Sequence, residues 1–227
     1  MGGVSPDEVA LAERVSRLHP HAVDDLRTLV RIPSVSSDPA HADDVDATAQ
    51  AVASMARAAG ADDVGVLAAP GGRPAVVARW EPPPGAPTVL LYAHHDVQPA
   101  PAEAWQTDPF EPVERDGRLY GRGAADDKAG VVAHLAAVRA HGGRPPVGVT
   151  LFVEGEEEVG SPTFAAFLDE HRALLAADVL VVAVSMNWSA DVPALTTSLR
   201  GAVEVDVEVR TLERAAHSCM GAAAPDA

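Results

Sequence analysis

The stretch that says most about the structure of this chain is Leu90–Pro99, LLYAHHDVQP. It continues an apolar run from Thr88 to Tyr92, which is typical of a strand buried on both faces of a parallel sheet. The run ends in His94, His95 and Asp96. Ligands of open α/β sheets collect outside the carboxyl ends of the strands, where a histidine can bind a metal while an acid fixes its tautomer. The alternative is a turn of solvated polar residues, and this stretch alone leaves both interpretations open.

The composition argues against several classes of protein. Acidic residues number 33 and basic residues 17, so the formal charge of the 227-residue chain is −16. That charge disfavours a sequence-independent nucleic-acid binder and anchoring on an anionic membrane, since both need a basic surface. The single cysteine, Cys219, excludes an internal disulfide and a multi-cysteine zinc site. With no signal-peptide pattern and no apolar run of the ~20 residues that span a bilayer, we expect a soluble cytoplasmic protein.

Hydrophobic periodicity predicts an alternation of helices and strands. The predicted helices cover residues 7–18, 22–30, 42–59, 127–140 and 162–175, the last with Ser161 as its N-cap. The predicted strands cover residues 64–69, 74–80, 88–92, 147–153 and 178–184, and we expect the last one to be buried.

Two further segments bear on the organisation of the chain. Residues 100–123 are predicted to form a long functional loop. Residues 202–210 alternate between valine and mostly acidic side chains, which predicts a strand with one solvated face. This change of pattern divides the chain into residues 1–198 and 199–227.

Three clusters of candidate metal ligands follow predicted strands or glycine turns. They are HHD at residues 94–96, DDK at 126–128 and EEE at 156–158. Like charges gathered in this way repel, and burying them unpaired costs several kcal/mol each, a cost that a pair of divalent cations would remove. Histidine and carboxylate ligands suit a co-catalytic zinc site, although Mn²⁺ or Co²⁺ could use them too. Singly, DDK is typical of a helix N-cap and EEE of a solvated first turn; together the clusters favour a metal site.

These clusters belong to longer motifs that resemble those of one family. The motifs are LxxLVxIPSVS at residues 26–36, HxDVQP at 94–99, LYGRGAADDK at 119–128 and EGEEEVGS at 154–161. In type and order they resemble the co-catalytic metallopeptidases, a family that includes carnosinase, cytosolic non-specific dipeptidase, glutamate carboxypeptidase and succinyl-diaminopimelate desuccinylase. The VQP variant at 97–99 is most similar to the dipeptidase branch, and the likeness runs to the end of the chain.

The resemblance implies a role for each matching residue. His94, Asp126 and Glu158 would bind two zinc ions, with Asp126 bridging them. Asp96 would orient His94, and family members often have a cis peptide bond after the aspartate equivalent to Asp126. Glu157 would be the general base that takes a proton from the metal-bridging water.

The resemblance also implies a fold. It is a three-layer α/β sandwich with a mostly parallel, mixed sheet, formed by residues 1–198 as the N-terminal part of the catalytic domain. Residues 199–227 would begin an α+β lid, through which the family forms homodimers; with so little lid present, we expect that contact to be incomplete here. His217 matches a lid histidine that reaches the neighbouring subunit's active site and stabilises the oxyanion.

Two departures from the family pattern concern the metal ligands. Where the family has an aspartate at the end of the next strand, this chain has Val184. Asp178 and Asp191 are other acids near this segment, but their positions argue against substitution. The last histidine ligand of the family lies beyond Ala227, so each metal keeps two ligands instead of the three usual in catalytic zinc sites. We therefore expect a truncated chain that binds metal weakly and has little turnover.

The implied activity is hydrolysis of a dipeptide or a small acyl-amino acid through a metal-bridged water. One alternative is an N-acyl amino-acid deacylase or desuccinylase of the same family. The other is a catalytically dead member that keeps the fold as a binding module.

Overall fold

The computed structural model describes residues 5–185, 187–189, 192–203 and 205–208. The chain forms two compact units, Met1–Ser185 and Met186–Ala227. The helices and strands named below lie in the first unit. The predicted division into residues 1–198 and 199–227 stays a prediction.

Four α-helices are present in the described part of the chain: α1 Pro6–Val30, α2 Ala42–Ala58, α3 Lys128–Ala140 and α4 Phe164–His171. α1 is one helix where two were predicted. Pro20 lies inside it, and the helix continues because Ala22, Leu26 and Leu29 beyond the proline pack on the core. α4 is shorter than predicted at both ends, and its N-cap is Thr163 instead of Ser161, which has a φ of 52°. None of the described helices has the length and apolar character needed to cross a membrane.

One mixed sheet is formed by five strands: β1 Asp63–Leu67, β2 Ala75–Trp80, β3 Thr88–His94, β6 Gly148–Glu154 and β7 Val179–Val182. Their order in the sheet is β1-β2-β6-β3-β7. β1 with β2 and β2 with β6 are antiparallel, whereas β3 is parallel to both β6 and β7. The carboxyl ends of β3, β6 and β7 therefore lie at the same end of the sheet.

A hairpin, β4 Val113–Arg115 and β5 Arg118–Tyr120, lies inside the segment that was predicted to be a loop. Its turn residues, Asp116 and Gly117, both have positive φ, 51° and 71°. An Asp-Gly pair is a known hairpin signal, so the sequence contained the information for this turn.

Apolar side chains on both faces of the sheet produce three layers. α1, α2 and α3 pack on one face against β2, β3 and β6, with Trp80, Leu135 and Leu151 among the buried residues. α4 packs on the other face, where Phe167 stacks on Phe152 of β6. The predicted three-layer α/β sandwich with a mixed sheet is confirmed.

A strand was predicted at residues 178–184 and is present, but the prediction that it is buried was wrong. The side chains of β7 are between 40% and 58% exposed. β7 is the last strand of the sheet and pairs with β3. An apolar run predicts the strand, but its burial depends on neighbours that the run itself does not specify.

The predicted lid strand at residues 202–210 is not a strand in its described part. Residues 201–203 and 205–208 are neither helical nor extended in a sheet, and Val203, Val205 and Val207 are exposed. An alternating pattern forms a strand only when a partner strand or layer covers its apolar face.

Two leucine substitutions test the contrast between the centre and the edge of the sheet. Leu151 of β6 is 1% exposed and Leu180 of β7 is 58% exposed. We expect Leu151→Ala to lower the free energy of unfolding by about 2–5 kcal/mol, because it opens a cavity in the core. The matched Leu180→Ala should cost at most about 1 kcal/mol, because less apolar area returns to water. Urea unfolding followed by circular dichroism measures both, and equal losses would contradict the exposed placement of β7.

Candidate metal centre

The site is built around His94, the last residue of β3. Its side chain is fully buried, and its backbone N–H donates to Asp127 Oδ2 at 3.1 Å. The imidazole Nδ1 lies 3.1 Å from the backbone oxygen of Asp96 and 3.4 Å from Asp96 Oδ1. The imidazole Nε2 lies 3.1 Å from Asp126 Oδ1 and 3.8 Å from Glu157 Oε2. One ring nitrogen is thus tied to Asp96, and the other faces two acids.

The carboxylate of Asp96 is buried and holds the loop after β6. It accepts hydrogen bonds from Ser36 Oγ at 2.6 Å and from the backbone N–H groups of Glu157 at 3.2 Å and Glu158 at 3.0 Å. Burial alone would raise the pKa of Asp96, but the hydrogen bonds of His94, Ser36 and Glu158 lower it below its usual value. Asp96 is therefore ionised at neutral pH and orients both His94 and the acidic loop.

Asp126 lies just before α3, and the peptide bond between Asp126 and Asp127 is cis, as the resemblance suggests. The next residue, Lys128, is fully buried, and its Nζ donates to the backbone oxygens of Leu29 at 2.9 Å and Ile32 at 2.7 Å. The turn before Asp126 requires a glycine: Gly123 has a φ of 82°, and a Cβ there would lie 2.8 Å from Val97 Cγ1.

Burial and neighbouring charges shift the pKa values of the titratable groups at this end of the sheet. Burial would lower the pKa of the His94 imidazole, but Asp96, Asp127 and Glu157 raise it to about 9. Burial raises the pKa of the Asp127 carboxyl to about 7, and the neighbouring charge of Asp126 adds to this. Burial and the charges of Glu158, Asp96 and Asp126 raise the pKa of Glu157, against the opposing effect of His94. The site therefore holds an excess of negative charge with one buried imidazole among it.

The candidate ligands converge. One ligand atom each from His94, Asp126 and Glu158 lies within 4.8 Å of the others. Nitrogen and carboxylate donors of this kind fit a divalent cation such as Zn²⁺ or Mn²⁺, and the buried Asp96 behind His94 is the supporting acid common at such sites. The donor set of the described residues thus fits a metal ion.

Other candidates lie away from this cluster. His95 is fully buried, which lowers its pKa to about 4 although the hydrogen bond of its Nε2 with the backbone oxygen of Pro74, at 2.8 Å, opposes the shift. Asp178 accepts from the backbone N–H of Thr88 at 2.8 Å, at the opposite end of β3 from His94. Asp191 and His217 lie outside the described residues.

The register between β3 and β7 relates Val184 to His94. Tyr92 of β3 pairs with Val182 of β7, and continuing by two residues brings position 184 level with His94. The residue there is a valine, 37% exposed. The chain thus has an apolar residue two positions beyond the end of β7, the strand that neighbours β3.

No role was predicted for Ser36 or Gln98, although both lie in the motifs at residues 26–36 and 94–99. Ser36 bonds Asp96, and Gln98 Nε2 donates to Glu158 Oε2 at 2.8 Å and to the Glu158 backbone oxygen at 2.9 Å. These contacts join residues about sixty positions apart, so the motifs marked the residues without revealing their partners.

Comparison with known proteins bears on the same residues. The pattern of Peptidase family M20/M25/M40 matches residues 90–221. The chain is 45% identical over 152 residues to a cysteinylglycine-S-conjugate dipeptidase of Corynebacterium striatum, covering 65% of this chain and 33% of that protein. It is 38% identical over 151 residues to a β-Ala-His dipeptidase of Rattus norvegicus, covering 64% and 31%.

A solved structure shares the fold. Human carnosine dipeptidase 1 aligns with a TM-score of 0.72 and 26% identity, over 82% of this chain and 42% of that chain. The chain spans about a third of the length of the two curated relatives. Because the family pattern covers more than half of the chain and the sandwich fold agrees, the chain belongs to Peptidase family M20/M25/M40.

Proposed function

We propose that the chain is the N-terminal part of a dipeptidase-type metallohydrolase whose metal site includes His94, Asp126 and Glu158. The observation that carries this proposal is the convergence of these three side chains within 4.8 Å at the carboxyl end of β3. We further propose Zn²⁺ as the metal, two ions in the complete site and Asp126 as the bridging ligand. Mn²⁺ and Co²⁺ fit the same donors.

The proposed mechanism divides the work between a cation and the side chains. Held by His94, Asp126 and Glu158, a divalent cation would polarise the scissile carbonyl and lower the pKa of a water. Glu157 lies beside the ligands, with Oε2 3.8 Å from His94 Nε2 and a raised pKa, so its carboxylate can hold a proton and pass it to the leaving amine. Asp96 keeps His94 in one orientation and fixes the backbone of Glu157 and Glu158.

We propose a small peptide as the substrate. The names of the two curated relatives, which act on a cysteinylglycine conjugate and on β-Ala-His, support a dipeptide. An N-acyl amino acid remains the alternative substrate, and a binding module without turnover the alternative function. The oxyanion role of His217, dimerisation through a lid and a cytoplasmic location stay predictions.

We propose that this chain by itself holds metal weakly. The described residues bring three donors together, and the residue two positions after β7, Val184, has no donor atom in its side chain. A catalytic zinc ion is normally held by three protein ligands. Three donors divided between two ions leave each ion with fewer ligands than that.

His94→Ala should weaken zinc binding by at least about 100-fold, because it removes the one imidazole of the cluster. Titration calorimetry of the full 227-residue chain measures the affinity. His21→Ala is the matched control, since the His21 side chain is 56% exposed on α1 and should leave the affinity unchanged. Equal binding by the His94 variant would place the zinc elsewhere.

Cation binding should strengthen as the pH rises. A metal binds the neutral imidazole, whereas His94, with a pKa of about 9, carries a proton at neutral pH. Each binding event must then release this proton, so the affinity should rise by up to about tenfold per pH unit between pH 7 and 9 and level off above 9. Calorimetry in buffers of different ionisation enthalpy counts the released protons; a pH-independent affinity would contradict the raised pKa.

Val184→Asp tests the function itself. We expect the added carboxylate to tighten zinc binding about tenfold or more. Co-expressed with the C-terminal part of the Corynebacterium striatum relative, the Val184→Asp chain should release amino acids from dipeptides faster than from N-succinyl amino acids. Glu157→Gln in the same background should lower turnover by about 100-fold or more while keeping the metal, because the proton acceptor is lost.

The outcomes of this assay separate the alternatives. Faster cleavage of N-acyl amino acids would favour the deacylase. Tight zinc binding with no cleavage of either substrate would favour the binding module.

A further inference from the structure

Gln98 holds Glu158 by two hydrogen bonds from one amide group. Its Nε2 lies 2.8 Å from Glu158 Oε2 and 2.9 Å from the Glu158 backbone oxygen. Both partners are acceptors, so only the NH₂ end of the amide can face them, and its two N–H groups match the two acceptors. The contact is therefore specific to an amide donor at this position.

The backbone that carries Gln98 is fixed on both sides. Val97 is fully buried, and its backbone N–H donates to the backbone oxygen of Ser34 at 2.9 Å. On the other side, Arg122 donates to the backbone oxygen of Pro99 at 3.2 Å. The Gln98 side chain is exposed, but it extends from an anchored backbone, so its reach to Glu158 is set by the fold.

Glu158 is consequently held at three atoms by one short segment of the chain. Its backbone N–H donates to Asp96 Oδ2 at 3.0 Å, and its backbone oxygen and Oε2 both accept from Gln98. Asp96 also faces His94 at 3.4 Å. The segment 94–98 thus sets the positions of two candidate ligands, one within it and one about sixty residues away.

From these contacts we infer that Gln98 is a positioning residue, which fixes the Glu158 carboxylate for cation binding. The inference rests on the proposed function, because it assumes that Glu158 is a ligand. With Oε2 bound to the amide, the rotation of the carboxylate is restricted and its other oxygen is directed by the same contact. Glutamine suits this task because it donates without adding a positive charge that would repel the cation.

Gln98→Met tests this role, because methionine has a similar length and no donor. We expect the full-length chain to bind Co²⁺ about tenfold more weakly, the effect typical of removing a residue that orients a metal ligand. The visible absorption spectrum of the Co²⁺-saturated protein should also change, since the ligand field depends on where Glu158 lies. The thermal midpoint in EDTA should stay the same, because Gln98 is exposed.

Gln106→Met is the matched control. Gln106 is an exposed glutamine whose Oε1 accepts from Arg115 at 2.8 Å, in the loop before β4. It should leave both the Co²⁺ affinity and the spectrum unchanged.

The results distinguish failure of this inference from failure of the proposed function. If the unsubstituted chain binds Co²⁺ and Gln98→Met binds it equally well with the same spectrum, the positioning role is wrong and the metal site stands. If the unsubstituted chain binds no Co²⁺, the metal site fails and the inference fails with it. A change that appears equally in Gln106→Met would also overturn the specific role of Gln98.

Discussion

The rest of this structure depends on the hydrogen bonds that satisfy the buried carboxylate of Asp96. An unpaired charge in that position would cost several kcal/mol, so its partners must be in place when the chain is folded. Those partners come from three separate parts of the chain: Ser36 after α1, His94 at the end of β3, and the backbone N–H groups of the loop after β6. The same contacts that satisfy the charge also bring the candidate ligands together.

A second buried charge, the ammonium of Lys128, ties the opposite side of the site to the fold. It is bound by two backbone oxygens at the end of α1, where the helix dipole favours a cation. Burial lowers its pKa to about 7, against the charges of Asp96 and Asp44, which raise it. Since Lys128 is two residues from Asp126, the end of α1 fixes the start of α3 and, with it, the acid that precedes it.

Local signals in the sequence predicted the strands and the candidate metal ligands, whereas the sandwich was implied by the resemblance to the metallopeptidase family. Apolar runs that end in charged residues marked β3 and β6, and the type and order of the motifs that contain His94, Asp126 and Glu158 carried the resemblance. The contacts of Ser36 and Gln98 were not predictable, because they depend on which loops meet in space. The prediction that β7 is buried failed for a related reason. Its valines and leucine are typical of a core strand, but whether they are buried depends on the neighbouring layers.

The exposed edge at β7 has a consequence for handling the protein. Among the described strands β7 pairs only with β3, and a strand edge flanked by apolar side chains is a template on which a second chain can add. The formal charge of −16 opposes this, because copies of the chain repel one another. Dissolved ions shorten the range of that repulsion to about 8 Å at physiological ionic strength. The chain should therefore be most resistant to aggregation in dilute buffer, and added salt should favour self-association at β7.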